Sequence, residues 1–254
     1  LFIRKLQGLR LPHNTHSIKR NPISSSYAGS TIFISPQTMT VFSVICRIIR
    51  PAPYIYSLIL GFSSLRHIDK YHFDRYFRSF SHFYTLYSGK NEELWNEYGA
   101  GRITKDELNE QRFSYPLLQV GVADKALVKA YSDNFFDDIV YKKKLMPHAR
   151  EALEYLASAY NLYILSNGFR ELQEQKMRSA GVEGYFKENR FLSEDIGVHK
   201  PFPEIFYFAM SATQSELHTS LMIGDNWKND VEGAKNVGMG NVYYNIKGEK
   251  SLPF

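Results

Sequence analysis

Apolar and polar positions divide the chain into three stretches. From residue 146 onward helical and extended patterns alternate, which predicts a parallel α/β sheet. HAREALEYLASAY has apolar residues at helical spacing behind Pro147, a first-turn proline. The apolar run Leu162 to Leu165 follows as a strand and ends in Ser166-Asn167-Gly168. ELQEQKMRSA predicts a helix closed by Gly181, Arg190 to Leu192 a short strand, and Lys200-Pro-Phe-Pro203 the opening of the helix EIFYFAMSA. Leu221, Met222 and Ile223 form another short buried strand; Gly224 then allows a sharp turn, and Asp225 stands at the strand's carboxyl end. Asp230 lies at the mouth of a helix through Val231, Ala234 and Val237, closed by Gly238 or Gly240, and Val242 to Ile246 is the last predicted strand.

Residues 69 to 145 follow a different rule. Aromatic residues are dense and helically spaced, so that Tyr76, Phe80, Phe83 and Tyr87 share one predicted face. Gly99-Ala100-Gly101 breaks the pattern, and Thr104 to Glu107 reads as a capping box for a helix with Leu108 and Phe113 turned inward. Ala123 to Tyr131 and Ser132 to Val140 add helical text, and Phe135 to Asp138 reads as helix with a solvated acidic face. The expectation is a small helical bundle whose aromatic stripe is core rather than a base-stacking surface.

Residues 1 to 68 show no sustained period. Eight of the 31 Lys and Arg residues lie there and none of the 26 Asp and Glu, so a basic, acid-free head precedes a body with 23 basic and 26 acidic residues. Val41 to Phe62 is apolar-rich, but Arg47, Arg50, Pro51 and Pro53 interrupt it, against a membrane span. A transit peptide and a basic nucleic-acid arm are weaker alternatives, because the charges are sparse and unclustered. The favoured reading is that residues 1–68 are not native to the rest of the chain. The single Cys46 excludes an intrachain disulfide, and no Cys/His cluster has zinc spacing; a cytoplasmic location is expected.

Three predicted strand ends carry polar chemistry: Ser166 with Asn167 and Gly168, then Lys200, then Asp225 with Asp230. In open α/β sheets ligands bind at the carboxyl ends of the strands. A hydroxyl, an amide, an ammonium and carboxylates able to hold Mg²⁺ are what a phosphate monoester site needs. Each piece alone could be a turn or a helix cap.

LSNG at Leu165 to Gly168, the Lys200 of GVHKPFPEIF and GDNWKND around Asp225 and Asp230 resemble the second, third and fourth motifs of the haloacid dehalogenase (HAD) superfamily of phosphohydrolases. FDRYF, LMPHA, YNLYILSNGFRELQ, KMRSAGV and SATQSEL resemble the YjjG-like noncanonical pyrimidine 5′-nucleotidases, over about residues 69 to 247. The resemblance implies an HAD-like Rossmannoid α/β core with a parallel sheet and an inserted helical cap. On that basis residues 69–145 are the cap and 146–254 the core, which stops before the family's last strand and helix. It also implies Mg²⁺-dependent hydrolysis of pyrimidine nucleoside 5′-monophosphates through an aspartyl-phosphate. Ser166, Asn167 and Gly168 would bind the transferred phosphoryl, Lys200 would hold it beside the nucleophile, Asp225 would ligate Mg²⁺, and Asp230 would support the metal from behind.

One departure stands out. The family's first motif is an apolar strand ending in DxDxT or DxDxS, whose first Asp is the nucleophile. Nothing before residue 69 offers an Asp; the nearest mimic is Thr31 to Gln37, with Ser35 and Gln37 at the two acidic places. The chain as written is therefore expected to be inactive, and a non-catalytic phosphate- or nucleotide-binding protein is the competing reading. The expected partner is a small-molecule nucleotide, with neither nucleic acid nor membrane.

Overall fold

The computed structural model describes residues 40–43, 70–140, 145–146, 148–186 and 190–245. Among the described residues five strands make one sheet: β1 (Thr40–Ser43), β2 (Asn161–Ser166), β3 (Arg190–Leu192), β4 (Ser220–Gly224) and β5 (Gly240–Tyr243), in the order β3-β2-β1-β4-β5. Every neighbouring pair is parallel. β1 is the central strand, with Ser43 level with Ile164 on β2 and Ile223 on β4. The chain steps outward from β1 to β2 and β3, then returns to the other side of β1 for β4 and β5. That reversal opens a crevice at the carboxyl ends of β2, β1 and β4.

The central strand is drawn from the head. Residues 1–68 are expected above to be foreign to the core, yet Thr40–Ser43 occupies its middle slot. The Thr31 to Gln37 mimic lies outside the described residues, as do Pro147 and Ile246.

Between β1 and β2 the described residues form three long helices, α1 (Phe80–Gly99), α2 (Lys105–Gln119) and α3 (Lys125–Val140). The Ser79 side chain caps α1 by accepting from the His82 N–H, and Thr104 and Glu107 complete both halves of the capping box on α2. Where the sequence suggested two helical pieces after Ala123, α3 runs unbroken. Phe83, Tyr87, Phe113, Leu117, Tyr131 and Phe135 fill the bundle's interior. Tyr76 departs from the expected shared face: it follows a 3-10 turn at Phe73–Arg75, is not on α1, and is exposed.

The core helices are α4 (Ala149–Ala159), α5 (Arg170–Ala180), the single turn α6 (Ser193–Ile196), α7 (Pro203–Thr213) and the single turn α8 (Gly233–Asn236). Gly181 ends α5 with φ 63°, the left-handed conformation that suits glycine. Leu153, Leu162, Ile164, Met177 and Val182 pack one side of the sheet, and Leu165, Ile205, Phe206, Met222 and Ala234 the other. Among the described residues no helix is long and apolar enough to cross a membrane.

Candidate functional site

β2 delivers Ser166 to the crevice fully buried, and the Ser166 Oγ accepts a hydrogen bond of 3.0 Å from the Gly168 N–H. This bond folds the chain back at once, so that α5 can start at Arg170. Asn167 reaches across to the segment before α7. Its Nδ2 donates to the Lys200 carbonyl at 2.9 Å and its Oδ1 accepts from the Lys200 N–H at 2.8 Å. Both ends of the amide thus brace the Lys200 backbone, and the second Nδ2 hydrogen is left over for the expected phosphoryl contact.

Lys200 then turns its side chain inward. Nζ donates to the Leu165 carbonyl at 2.8 Å and to Asp230 Oδ1 at 2.8 Å, with both charged side chains 2% exposed. Two of the three ammonium hydrogens are so committed, and one remains for a ligand. Asp230 is engaged at its second oxygen as well, where Oδ2 accepts from the Asn226 N–H at 2.9 Å. A buried ion pair is more secure when its remaining donors and acceptors are met, and here the backbone of two strand ends meets all but the third Lys200 N–H.

Local chain geometry makes this possible. The expected helix mouth at Asp230 is a π-helical turn, Trp227–Glu232, capped by Asn226 Oδ1 accepting from the Asn229 N–H at 2.9 Å. That wider turn carries Asp230 back over the end of β4. Gly224 is needed there for space. A Cβ on it would lie 2.3 Å from both Cβ and Oδ2 of Asp230.

Asp225 follows β4 directly and is half-buried at the crevice. Among the described residues no group of three or more His, Cys, Asp or Glu side chains is gathered to hold a metal. Asp230 has both oxygens on Lys200 and Asn226, which leaves Asp225 as the candidate ligand of this loop. Mg²⁺ accepts one or two protein carboxylates when water and phosphate oxygens complete its shell, so Asp225 fits as a ligand though not as a whole site.

Several residues at the rim escape sequence reasoning. Phe169, next after the SNG turn, packs against Trp95 and Tyr98 of α1 with ring centroids 5.1 and 5.8 Å away. His199, next to Lys200, meets the Tyr98 ring edge-on at 5.0 Å, and burial pushes its imidazole pKa down. Lys105 of α2 pairs with Glu194 at 2.6 Å and Glu171 at 3.1 Å and lies 4.6 Å from the Phe169 ring centre. The helical bundle is thus fastened to the core beside the motif loops. The only signal in the sequence was adjacency: Phe169 and His199 flank motif residues.

Comparison with known proteins agrees with this arrangement. HAD-hydrolase YfnB of Bacillus subtilis is 30% identical over 169 residues, 66% of this chain and 70% of the relative. Pyrimidine 5′-nucleotidase YjjG of Escherichia coli is 29% identical over 160 residues, 63% of this chain and 69% of its own length. Glyceraldehyde 3-phosphate phosphatase of Pyrococcus abyssi is 33% identical over 163 residues, covering 64% and 65%. The crystal structure of YfnB bound to magnesium, described as revealing interdomain movement, superposes with a TM-score of 0.69 at 25% identity, over 84% of this chain and 91% of that one. A family model, haloacid dehalogenase-like hydrolase, matches residues 61–238, and this chain belongs to that family.

Proposed function

We propose that this chain is a phosphomonoester-binding HAD-like protein of the pyrimidine 5′-nucleotidase type, which holds the substrate's phosphate and, with the residues written here, does not hydrolyse it. The observation that carries the reading is the buried Lys200 ammonium, fixed between the Leu165 carbonyl and Asp230 at the carboxyl edge of the sheet. A fixed cation in a dry site is what a dianionic phosphate requires, because its charge costs little reorganisation there. Lys200 gives its third N–H to a phosphoryl oxygen. Ser166 contributes its hydroxyl and Asn167 its backbone N–H. Asn167 positions Lys200. Asp230 aims the Lys200 ammonium, and Asp225 would supply a carboxylate to Mg²⁺, which would contribute Lewis-acid charge at the phosphate.

The nucleotide as substrate is supported by the similarity to YjjG and by the sequence segments shared with that group. The absence of turnover is supported by the head: residues 1–68 contain no Asp or Glu, and the central strand ends at Ser43. A hydroxyl without an adjacent base is a poor nucleophile at neutral pH. The test compares the 254-residue chain with a version whose head is replaced by a strand ending in DxDxT, by phosphate release from uridine 5′-monophosphate with Mg²⁺. Activity confined to the repaired chain supports the reading; equal turnover by both overturns its non-catalytic half. If neither binds phosphate, the phosphate-site assignment fails.

A further inference from the structure

In the middle of the helical bundle a polar layer interrupts two apolar clusters. Above it lie Tyr87 and Phe113, and below it Leu94 and Leu108 pack on Phe169. Tyr87 faces Phe113 at 6.0 Å, so α1 and α2 run antiparallel with Asn91 opposite the Asn109–Arg112 turn. Asn109 and Arg112 are three residues apart and share a helix face.

The chemistry of this layer is incomplete. Arg112 is 5% exposed, and its guanidinium lies 4.8 Å from the Phe113 ring centre and 5.0 Å from that of Phe136. Its Nε and Nη2 are buried without a hydrogen-bond partner, and so are the Oδ1 atoms of Asn91 and Asn109. Pro116 sits inside α2 and has no N–H to give the Arg112 carbonyl four residues back. Buried donors and acceptors left unmet are costly and call for an occupant.

We infer that Arg112, Asn91 and Asn109 form a recognition site for the base of the bound nucleotide, an inference that rests on the nucleotide reading above. A phosphate or carboxylate would satisfy the guanidinium alone and leave the two amide oxygens unmet. A pyrimidine edge carries carbonyl acceptors and an N–H or amino donor side by side, and so answers both. The location agrees: the layer is one helical turn beyond Leu94, which packs on Phe169, two residues after Asn167. The phosphate would sit at Lys200 and the base would point into the bundle.

The test is calorimetric titration of the full chain, with Mg²⁺, using uridine 5′-monophosphate, ribose 5-phosphate and inorganic phosphate. Wild type should bind the nucleotide about 10-fold or more tighter than ribose 5-phosphate, as a hydrogen bond to a charged group warrants. Arg112→Met and Asn109→Ala should each erase most of that preference while leaving inorganic phosphate within about 2-fold, whereas Lys200→Met should lose all three ligands. Because Arg112→Met removes an unmet charge, it should melt no lower than wild type; a scaffold role would lower it. If Arg112→Met fails to fold, Asn109→Ala, at a half-buried position, decides the matter. Nucleotide binding unchanged in that variant, or a wild type that takes inorganic phosphate but does not prefer the nucleotide, overturns the base site and leaves the phosphate reading intact. Wild type that binds no phosphate overturns the phosphate reading and this inference with it.

Discussion

Asn167 holds Lys200 by both ends of one side-chain amide, donating to its carbonyl at 2.9 Å and accepting from its N–H at 2.8 Å. A strand end and a helix start 33 residues apart are thereby joined, and the ammonium that follows is aimed by that joint. Asn167→Ala should therefore act at two levels. Two backbone groups lose their partners, which costs on the order of 1–3 kcal/mol by the usual penalty for an unmet buried group. Phosphate affinity should fall with it, because the amide holds the backbone from which the Lys200 ammonium is aimed. Urea unfolding and phosphate titration on the same sample check both. Unchanged affinity despite lower stability would show that Lys200 does not depend on this brace.

The Lys200–Asp230 pair should show strong non-additivity. Lys200→Met leaves a carboxylate 2% exposed beside an apolar side chain, and breaking a buried pair from one side costs roughly 3–5 kcal/mol. Asp230→Asn leaves the cation similarly exposed to a dry site. The double variant Lys200→Met/Asp230→Leu removes both charges and should be less destabilised than the two single effects summed. A double-mutant cycle by urea unfolding measures the coupling; strict additivity would mean that the charges are solvated in solution.

Gly224→Ala tests the close approach at the end of β4. The new methyl would meet Asp230 atoms at 2.3–2.4 Å, and Asp230 is tied to Lys200 and Asn226 and has nowhere to yield. A loss of about 1–3 kcal/mol is expected, as for overpacking a tight interior. Gly89→Ala is the natural control. It lies within α1 with nothing within 4 Å of the added Cβ, so it should gain up to about 1 kcal/mol from helix propensity.

His199 gives the stability a pH dependence of definite sign. Burial lowers its pKa in the folded chain, so the unfolded chain binds the proton more readily. The contribution is complete above the ordinary value of about 6.5 and is lost as pH falls through that value toward the lowered one. The Tyr98 ring faces the imidazole, and the neighbouring Lys200 directs its ammonium away, to Leu165 and Asp230. His199→Phe should keep the packing and reduce the fall in unfolding midpoint between about pH 8 and pH 5.5. An identical pH profile in the variant would assign the dependence elsewhere.

The legible and illegible parts of the sequence differ for physical reasons. The alternation after residue 146 and the capping box at Thr104 are local patterns, and most elements stand where they predict; the exceptions are the π-helical turn at Asp230 and the last strand, Gly240–Tyr243 rather than Val242 to Ile246. The placement of Lys200 against Asp230 was readable only as motif order, because a hydrogen bond across 30 residues leaves no period behind. Arg112 was invisible for the opposite reason: one charge among aromatics reads as a solvated position unless the third dimension is known. Tyr76 fitted the helical stripe by count, but the stripe begins only at Phe80. Thr40–Ser43 was missed because a four-residue strand between two parallel neighbours needs no alternation.

That strand changes what a truncation should do. A head foreign to the core would be removed from residues 1–68 without harm, leaving a stable fragment from Asp69. In the structure, removal also takes away β1, which pairs with both β2 and β4. The sheet would then divide into β2-β3 and β4-β5, each with a newly unpaired parallel edge. Parallel strands are buried structures, and open edges are a route to association between chains. A chain of residues 69–254 should therefore be less stable than the full chain and prone to aggregate. The measurement is size-exclusion chromatography and thermal melting of both chains, beside limited proteolysis of the full one. A monomeric 69–254 fragment melting as high as the parent would show that Thr40–Ser43 contributes nothing to the sheet and restore the view of the head as dispensable.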